Sequence, residues 1–475
     1  MITGRSISKP AIGAYLFALV VALGIGYFVA GMPIQLTDSL ENLGNALAPL
    51  MVLLSAGFDA ARSGYLRPLL NGQIRIAVLI SHGHYFVTFK TIHVAQLVAC
   101  ALLLVHLVRP ATWPRAIASA LGVAAIFGAH TFTGTVTEAF PINTFLTIVV
   151  CTLLAADLAL SEPAWWRDVV VVALFAFAIL TVESGALVFC AVVAARVAGA
   201  RGVSRAGLAG LGLVIAGYLL VRLSAGHLAG PPLTERTSAG FGFGILDAQQ
   251  LHSRFGARPW VFYAYNVACQ VLTVLFAEPR EGVFSGIAAA TSHTLLPRQI
   301  IAVVASTGLT IAIAWFLVAR RNLWMRWALE RDDQVVAVFL AVLAANAVIS
   351  YPYVKDVIVS TAGAFFAVAG AIAVAHLLGS LDGRRWVAAL PIALLLTVVS
   401  AGWTVRTVGT GWNLRRTANL VRNEWIDLDY WKNRNGITLV PERAVLADQL
   451  QRDAIRRRVP PPSFVNLRME RYLLP

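Results

Sequence analysis

The chain has 475 residues, of which 58% are hydrophobic and only 13% charged, and its mean hydropathy is +0.73. Its apolar residues recur in blocks along most of its length, which excludes an ordinary soluble globule and indicates an all-α polytopic membrane protein. The net charge of +14 does not indicate nucleic-acid binding, because the basic residues stand in short clusters between apolar blocks, where the positive-inside rule puts them.

The first apolar block, residues 11–30, follows Arg5 and Lys9 and has no small-residue cleavage site after it. It therefore reads as a retained span with a cytoplasmic N-terminus. Residues 31–88 are then expected outside, as a polar loop carrying Asp38, Glu41, Asp59, Arg62, Arg67 and Arg75. Half-apolar pieces at 47–58 and 69–80 are too short to span but suited to lying on a bilayer surface. Spans two (89–108) and three (116–130) flank a cytoplasmic turn with Arg109 and Arg115 and lead to a second external loop, 131–141, with Glu138. Spans four (142–160), five (169–182), six and seven (208–223) pass Glu183 at an external turn and Arg196, Arg201 and Arg205 at a cytoplasmic one.

A long external stretch, 226–299, follows, and within it 260–277 is apolar enough to span yet contains Asn266 and Gln270. If this segment crossed, Arg320, Arg321, Arg326, Arg331, Arg384 and Arg385 would lie outside, so it is expected to be re-entrant or interfacial. Spans eight (300–318), nine (335–349), ten (357–378) and eleven (387–405) complete the expected architecture. Residues 1–408 form a domain of about eleven transmembrane helices with external juxtamembrane helices, and 409–475 form an external tail or small lobe. No internal repeat is evident, and the glycine runs at 207–212 and 240–244 lack the context of a phosphate-binding loop. Cys100, Cys151, Cys190 and Cys269 all fall inside apolar blocks without CxxC spacing and read as packing residues.

Several short stretches carry a resemblance. Gly64-Tyr65-Leu66-Arg67-Pro68-Leu69, followed by Phe89-Lys90-Thr91-Ile92-His93, is similar to the YRPL-to-HLxN region of GT-C glycosyltransferases, in particular the polyprenyl- or dolichyl-phosphate-sugar protein O-mannosyltransferases. GTVTEAF at 134–140 resembles that family's HPxHxEA, LTVESGAL at 180–187 its LxKETA, and YVKDVIVSTAG at 353–363 its AERYLYLPSxG. The chain departs from the pattern in three places. The paired acid of the first loop is Thr37-Asp38, the lysine before the inner glutamate is Val182, and the Glu-Arg pair is Lys355-Asp356.

The resemblance implies an integral plasma (inner) membrane glycosyltransferase. Its donor would be a polyprenyl-phosphate-linked sugar drawn from among the membrane lipids, and its acceptor a glycan, lipid or protein at the external face. Such chemistry needs a carboxylate to deprotonate the acceptor hydroxyl and cations to stabilise the departing lipid phosphate. Asp38, a few residues beyond the first span, is the expected base, with Glu41 at i+3 on the same face and Glu138 as a second carboxylate. Asp38 equally suits the cap of a surface helix starting at Ser39. Arg67 and Lys355 are the expected phosphate contacts, although Arg67 also suits a snorkelling position and Lys355 a local pair with Asp356. Glu183 at the end of a span is a supporting acid or a partner of Arg222, and Asp157, toward the cytoplasmic end of span four, is either solvated there or a partner of Arg167. His82 and His84 form an HxH pair that suits either a divalent metal beside the phosphate or an ordinary interfacial loop.

Two other classes stay open, a transporter or flippase of lipid-linked sugars and a non-catalytic membrane scaffold. The acids cluster in loops and not at mid-membrane, which favours the enzyme. Tags at Gly242→Cys and Glu281→Cys are expected to react from the same, external side. A tag at 281 that reacts only from the cytoplasm, with 242 reacting only from outside, would overturn the eleven-span reading.

Overall fold

A computed structural model describes residues 8–59, 66–224, 237–238, 245–246, 248–256, 260–278, 282–351, 354–381, 386–435 and 441–457. Arg5, Arg62, the Gly64-Tyr65 step, the 240–244 glycine run, Glu281, Tyr353, Arg384 and Arg385 lie outside these residues, as does most of 226–259.

The fold is an all-α membrane bundle. Helix α1 (Lys9–Gly31) begins where Ser8 accepts a hydrogen bond from the Ala11 amide, with Pro10 in the first turn. The first loop folds as α2 (Thr37–Asn45), α3 (Leu50–Asp59) and α4 (Pro68–Ser81) before α5 (Tyr85–Val108) re-enters the bundle. Next come α6 (Trp113–Gly128), α7 (His130–Thr137), α8 (Thr144–Ala159), α9 (Trp165–Ile179), α10 (Ala186–Val197) and α11 (Arg205–Ser224). The two-residue strands β1 (Thr237–Ser238) and β2 (Ile245–Leu246) pair antiparallel. Then follow α12 (Ala248–Phe255), α13 (Trp260–Phe276), α14 (Val283–Thr291), α15 (Pro297–Ala319), α16 (Arg321–Met325), α17 (Arg331–Ile349) and α18 (Ser360–Gly379). The chain closes with α19 (Trp386–Ile426), α20 (Leu428–Asn435) and α21 (Pro441–Arg456).

Among the described residues, seven helices are long and apolar enough to cross a membrane, namely α1, α5, α11, α15, α17, α18 and α19. The number rises to nine if the bent pairs α6 with α7 (67°) and α12 with α13 (100°) each count as one span. The expected spans four, five and six correspond to α8, α9 and α10, which have 16, 15 and 12 residues. These fall short of the ~20 residues that a hydrocarbon layer of about 30 Å requires of a straight helix. At the centre, α18 is buried at every residue from Ser360 to Ala375.

Polar contacts define two ends of the bundle. At one end Arg115 pairs with Asp332, and Arg320 forks onto Asp333 (Nε–Oδ1 2.7 Å) while also holding Glu330. The hydrogen bonds to Asp333 and then Glu330 hold the Arg320 guanidinium above the ordinary arginine range. Tyr15, His106 and Asp157 form a chain at the same end, joined by Arg331 3.8 Å from Asp157. Asp157 is thus paired across the bundle with His106 and Arg331 and not with its sequence neighbour Arg167. The opposite end carries Glu138, Glu183 and Lys355.

Helices α13 and α14 form a hairpin. Around the middle of α13, Asn266 and Gln270 donate to the carbonyls of Tyr351 and Ser350 at the Lys355 end. Toward its close, the Leu275 carbonyl accepts from Thr310, some 20 Å along α15 from Pro297 at about 1.5 Å per residue. Glu278 occupies the tip, fully buried, and its carboxylate accepts from the Phe284 and Ser285 amides and from the Ser285 hydroxyl at 2.7 Å. It thereby satisfies the first amides of α14. Gly282 fits here because a Cβ would collide with the Glu278 carboxyl.

A second hydrophobic cluster sits outside the main core. It joins Ile34 and Leu43 of the first loop, Ile74 and Val78 of α4, Phe86 and Phe89 of α5, Trp425 of α19 and Leu446 and Leu450 of α21. The C-terminal segment is therefore packed onto the first loop. Residues 408 and 409 both lie inside α19, so the membrane part runs into the tail as one continuous rod.

Trp425 anchors this second core, fully buried, with its indole Nε1 donating to the Ile34 carbonyl at 2.7 Å. Trp425→Phe keeps most of the packing but leaves that carbonyl unpaired, at an expected cost of about 1–3 kcal/mol. Trp425→Ala should cost about 3–5 kcal/mol. Thermal unfolding of the detergent-solubilised protein, with limited proteolysis of the tail, checks both. Variants as stable and as protease-resistant as the parent would contradict this packing.

Candidate functional site

The 67° bend between α6 and α7 starts the site. The carbonyl of Gly128, at the end of α6, accepts from Nε of the buried Arg406 at 2.8 Å, so the interrupted helix end is satisfied within the bundle. Beyond the bend, α7 places His130, Thr133, Gly134 and Thr137 at i, i+3, i+4 and i+7, which is one helix face. That face, with Glu138 at its end, lines a polar cavity of about 190 Å³ closed on the other side by Lys355, Asp356 and Val357. This is below the about 300–1,000 Å³ usual for small-molecule pockets, so the cavity as it stands holds one small polar group.

Two side-chain pairs cross this cavity. Lys355 Nζ lies 3.3 Å from Glu138 Oε2, and His130 Nε2 lies 3.9 Å from Asp356 Oδ1. The first is a charged hydrogen bond; the second lies beyond hydrogen-bond reach and becomes an ion pair only when His130 is protonated. His130 is buried, whereas Lys355 is half exposed. Lys355 and Asp356 are therefore not a local pair. Each reaches across to α7.

The first loop is tied to the same site. Gln35 Oε1 accepts from the Ala139 amide at 2.8 Å, and Asn42 Nδ2 donates to the Phe140 carbonyl at 2.9 Å. These bonds bracket Asp38 and Glu41, both exposed and without a side-chain hydrogen bond among the described residues. Asp38 is not a cap. The N-cap of α2 is Leu36, and Asp38 lies in the first turn, where the positive end of the helix dipole favours a carboxylate.

Arg67 and Glu183 form a separate pair. Arg67 precedes Pro68 at the start of α4, and its Nη2 and Nε reach Glu183 Oε2 at 2.6 Å and 3.0 Å, with Leu69 donating to the Leu180 carbonyl beside them. The guanidinium expected to meet a lipid phosphate is thus engaged by a carboxylate. Glu183 is held by Arg67 and not by Arg222, which donates to Tyr218.

His82 and His84 are exposed on the turn between α4 and α5, and His82 adopts a left-handed backbone (φ 45°). Among the described residues no group of three or more His, Cys, Asp or Glu side chains is arranged to hold a metal ion. His93 is buried and meets Asn143, the N-cap of α8, at 3.0 Å.

Sequence reasoning missed His130, Thr133 and Thr137, although the polar spacing in HTFTGTVT was a visible signal. The anchors Gln35 and Asn42 carried none. Compared with protein-family models, with curated proteins and with solved structures, the chain matches none.

The two ion pairs should differ in strength. Arg67→Ala breaks a bidentate charged contact and is expected to cost about 1.5–3 kcal/mol. Lys355→Ala removes a half-exposed pair and should cost about 0.2–1 kcal/mol. Double-mutant cycles with Glu183→Ala and Glu138→Ala, read by thermal unfolding, check the order. A larger coupling for Lys355–Glu138 would reverse it.

Proposed function

We propose that this chain is a GT-C-like glycosyltransferase that moves a sugar from a polyprenyl-phosphate-linked donor to an acceptor hydroxyl. The observation that carries the reading is the gathering of Glu138, Lys355, His130 and Asp356 around one polar cavity, beneath a first loop that presents Asp38 and Glu41. In this reading the acceptor oxygen attacks the anomeric carbon, its proton passes to Asp38, and the bond from that carbon to the phosphate oxygen breaks. Glu138, held by Lys355, steers the sugar hydroxyls. Lys355 and Arg67 receive the charge of the departing lipid phosphate, Arg67 by exchanging Glu183 for it.

The same reading takes the chain across the membrane eleven times, with α8, α9 and α10 as short crossings. It is supported by Asn143, the N-cap of α8, and Asp157, in its last turn, which lie toward opposite ends of the bundle. The α13–α14 hairpin dips in and returns without crossing. Arg109, Arg115, Arg196, Arg201, Arg205, Arg320, Arg321, Arg326 and Arg331 crowd toward the end opposite Glu138, which by the positive-inside rule supports a cytoplasmic place for that end and an external one for the Glu138 cavity and the tail. A second reading, movement of a lipid-linked sugar across the bilayer, draws support from Glu278, a buried acid far down the bundle at the hairpin tip.

Incubating the purified protein with radiolabelled polyprenyl-phosphate sugars tests the proposal. Asp38→Asn keeps shape and reach but cannot accept a proton at neutral pH, and is expected to lower transfer about a hundredfold or more while leaving folding and donor binding intact. Arg67→Ala should instead weaken donor binding. Turnover by Asp38→Asn near the parental rate would remove the proposed base. Lipid-linked sugar scrambling in proteoliposomes that Glu278→Gln abolishes, without any transfer, would favour the second reading.

A further inference from the structure

Along the outer face of α1 and α5 runs an open groove of about 660 Å³, separate from the Glu138 cavity and sharing no lining residue with it. Its walls are apolar, with Leu19 and Leu23 from α1 and Val94, Val98 and Leu102 from α5. One charged residue lines it. Lys90 is 5% exposed and sits some 7 Å along α5 from Tyr85 at about 1.5 Å per residue. Its Nζ lies 5.9 Å from the centroid of the Phe86 ring, and the guanidinium of Arg457, from the end of the tail, stacks on the same ring.

Two cations thus share one aromatic ring and repel one another. Among the described residues no carboxylate forms an ion pair or hydrogen bond with either. Asp453, one turn back on α21, acts on Arg457 only through space. An ammonium buried beside a second cation is strongly unfavourable without an anion.

We propose that the α1–α5 groove binds one anionic membrane lipid, its chain along the apolar walls and its phosphate held between Lys90 and Arg457. A lipid fits better than a soluble anion because the apolar part of the groove leads away from Lys90 and opens sideways beside exposed Leu16, Val20 and Tyr27 of α1, a bilayer-facing surface. The depth of Lys90, about one and a half turns inside the helix start, matches a headgroup phosphate above its chain. This inference stands whether or not the chain transfers a sugar. The lipid ties the tail, through Arg457, to the rim of the membrane.

The test uses the full chain, delipidated in a neutral detergent and titrated with phosphatidylglycerol, phosphatidylcholine or inorganic phosphate, read by thermal shift and native mass spectrometry. Phosphatidylglycerol is expected to give a one-to-one adduct and raise the unfolding temperature by several degrees, with neither effect from the other two. Lys90→Met should weaken the adduct about tenfold or more, yet be at least as stable as the parent without lipid, because it removes an unpaired buried charge. Ala95→Trp, which fills the groove from its exposed side, should weaken binding similarly and decides the matter if Lys90→Met does not fold. Three outcomes overturn the proposal. These are phosphatidylglycerol binding to either variant within about twofold of the parent, equal binding of phosphatidylcholine, or the same shift from inorganic phosphate alone.

Discussion

The bundle depends on how closely its helices approach α18. Lipid tails are as apolar as leucine, so helices in hydrocarbon are held together by fit and not by a hydrophobic drive. The sequence STAGAFFAVAGAIAVAHLLG supplies that fit through small residues. Gly370 receives Leu309 of α15, Ala371 packs at Gly122 of α6, and Gly363 receives Thr131 of α7. The last contact also sets the chemistry, since α18 is entered through Asp356 and α7 starts at His130. A side chain at 363 would push α7 outward and open the spaces across which Glu138 meets Lys355 and His130 meets Asp356.

Charge is organised around this apolar centre in two separate layers. At one end Arg115, Arg320 and Arg331 find Asp332, Asp333, Glu330 and Asp157, and at the other Lys355 and Arg67 find Glu138 and Glu183. Glu278 is satisfied differently, by backbone amides and a hydroxyl, because no cation reaches the hairpin tip among the described residues. Each arrangement answers the same demand, that a polar group within the bundle be matched inside the protein.

Much of the helical layout was legible in the sequence because hydropathy is a local property. Seven expected spans coincide with helices long enough to cross, whereas 131–141, read as a loop, falls largely in α7, which turns 67° from α6. The pairings were not legible, because they join residues far apart. Glu138 and Lys355 are 217 positions apart, and Arg67 and Glu183 116. Reading along the chain offers partners from the same or a neighbouring segment, so the pairs it suggests are Lys355 with Asp356, Glu183 with Arg222 and Asp157 with Arg167. The packing of the tail is hard to read from the sequence for a related reason. The apolar residues of α21 are few, and they find a core only because Leu43, Ile74 and Phe86 of the first loop leave one half built.

The continuity of α19 has a mechanical consequence. Its 41 residues make a rod about 60 Å long, roughly twice the thickness of a hydrocarbon core. One half lies against α6 and α15, and the other ends in the second core at Trp425. A spanning rod changes its tilt when the bilayer thickens or thins. Pivoting by about 5° at Trp403 carries Trp425, about 33 Å away, through roughly 3 Å. That displacement is comparable to the length of the hydrogen bonds by which the first loop grips the Phe140 turn. The rod joins the membrane bundle to the second core, so a tilt of α19 would be carried to the first loop beside the candidate site.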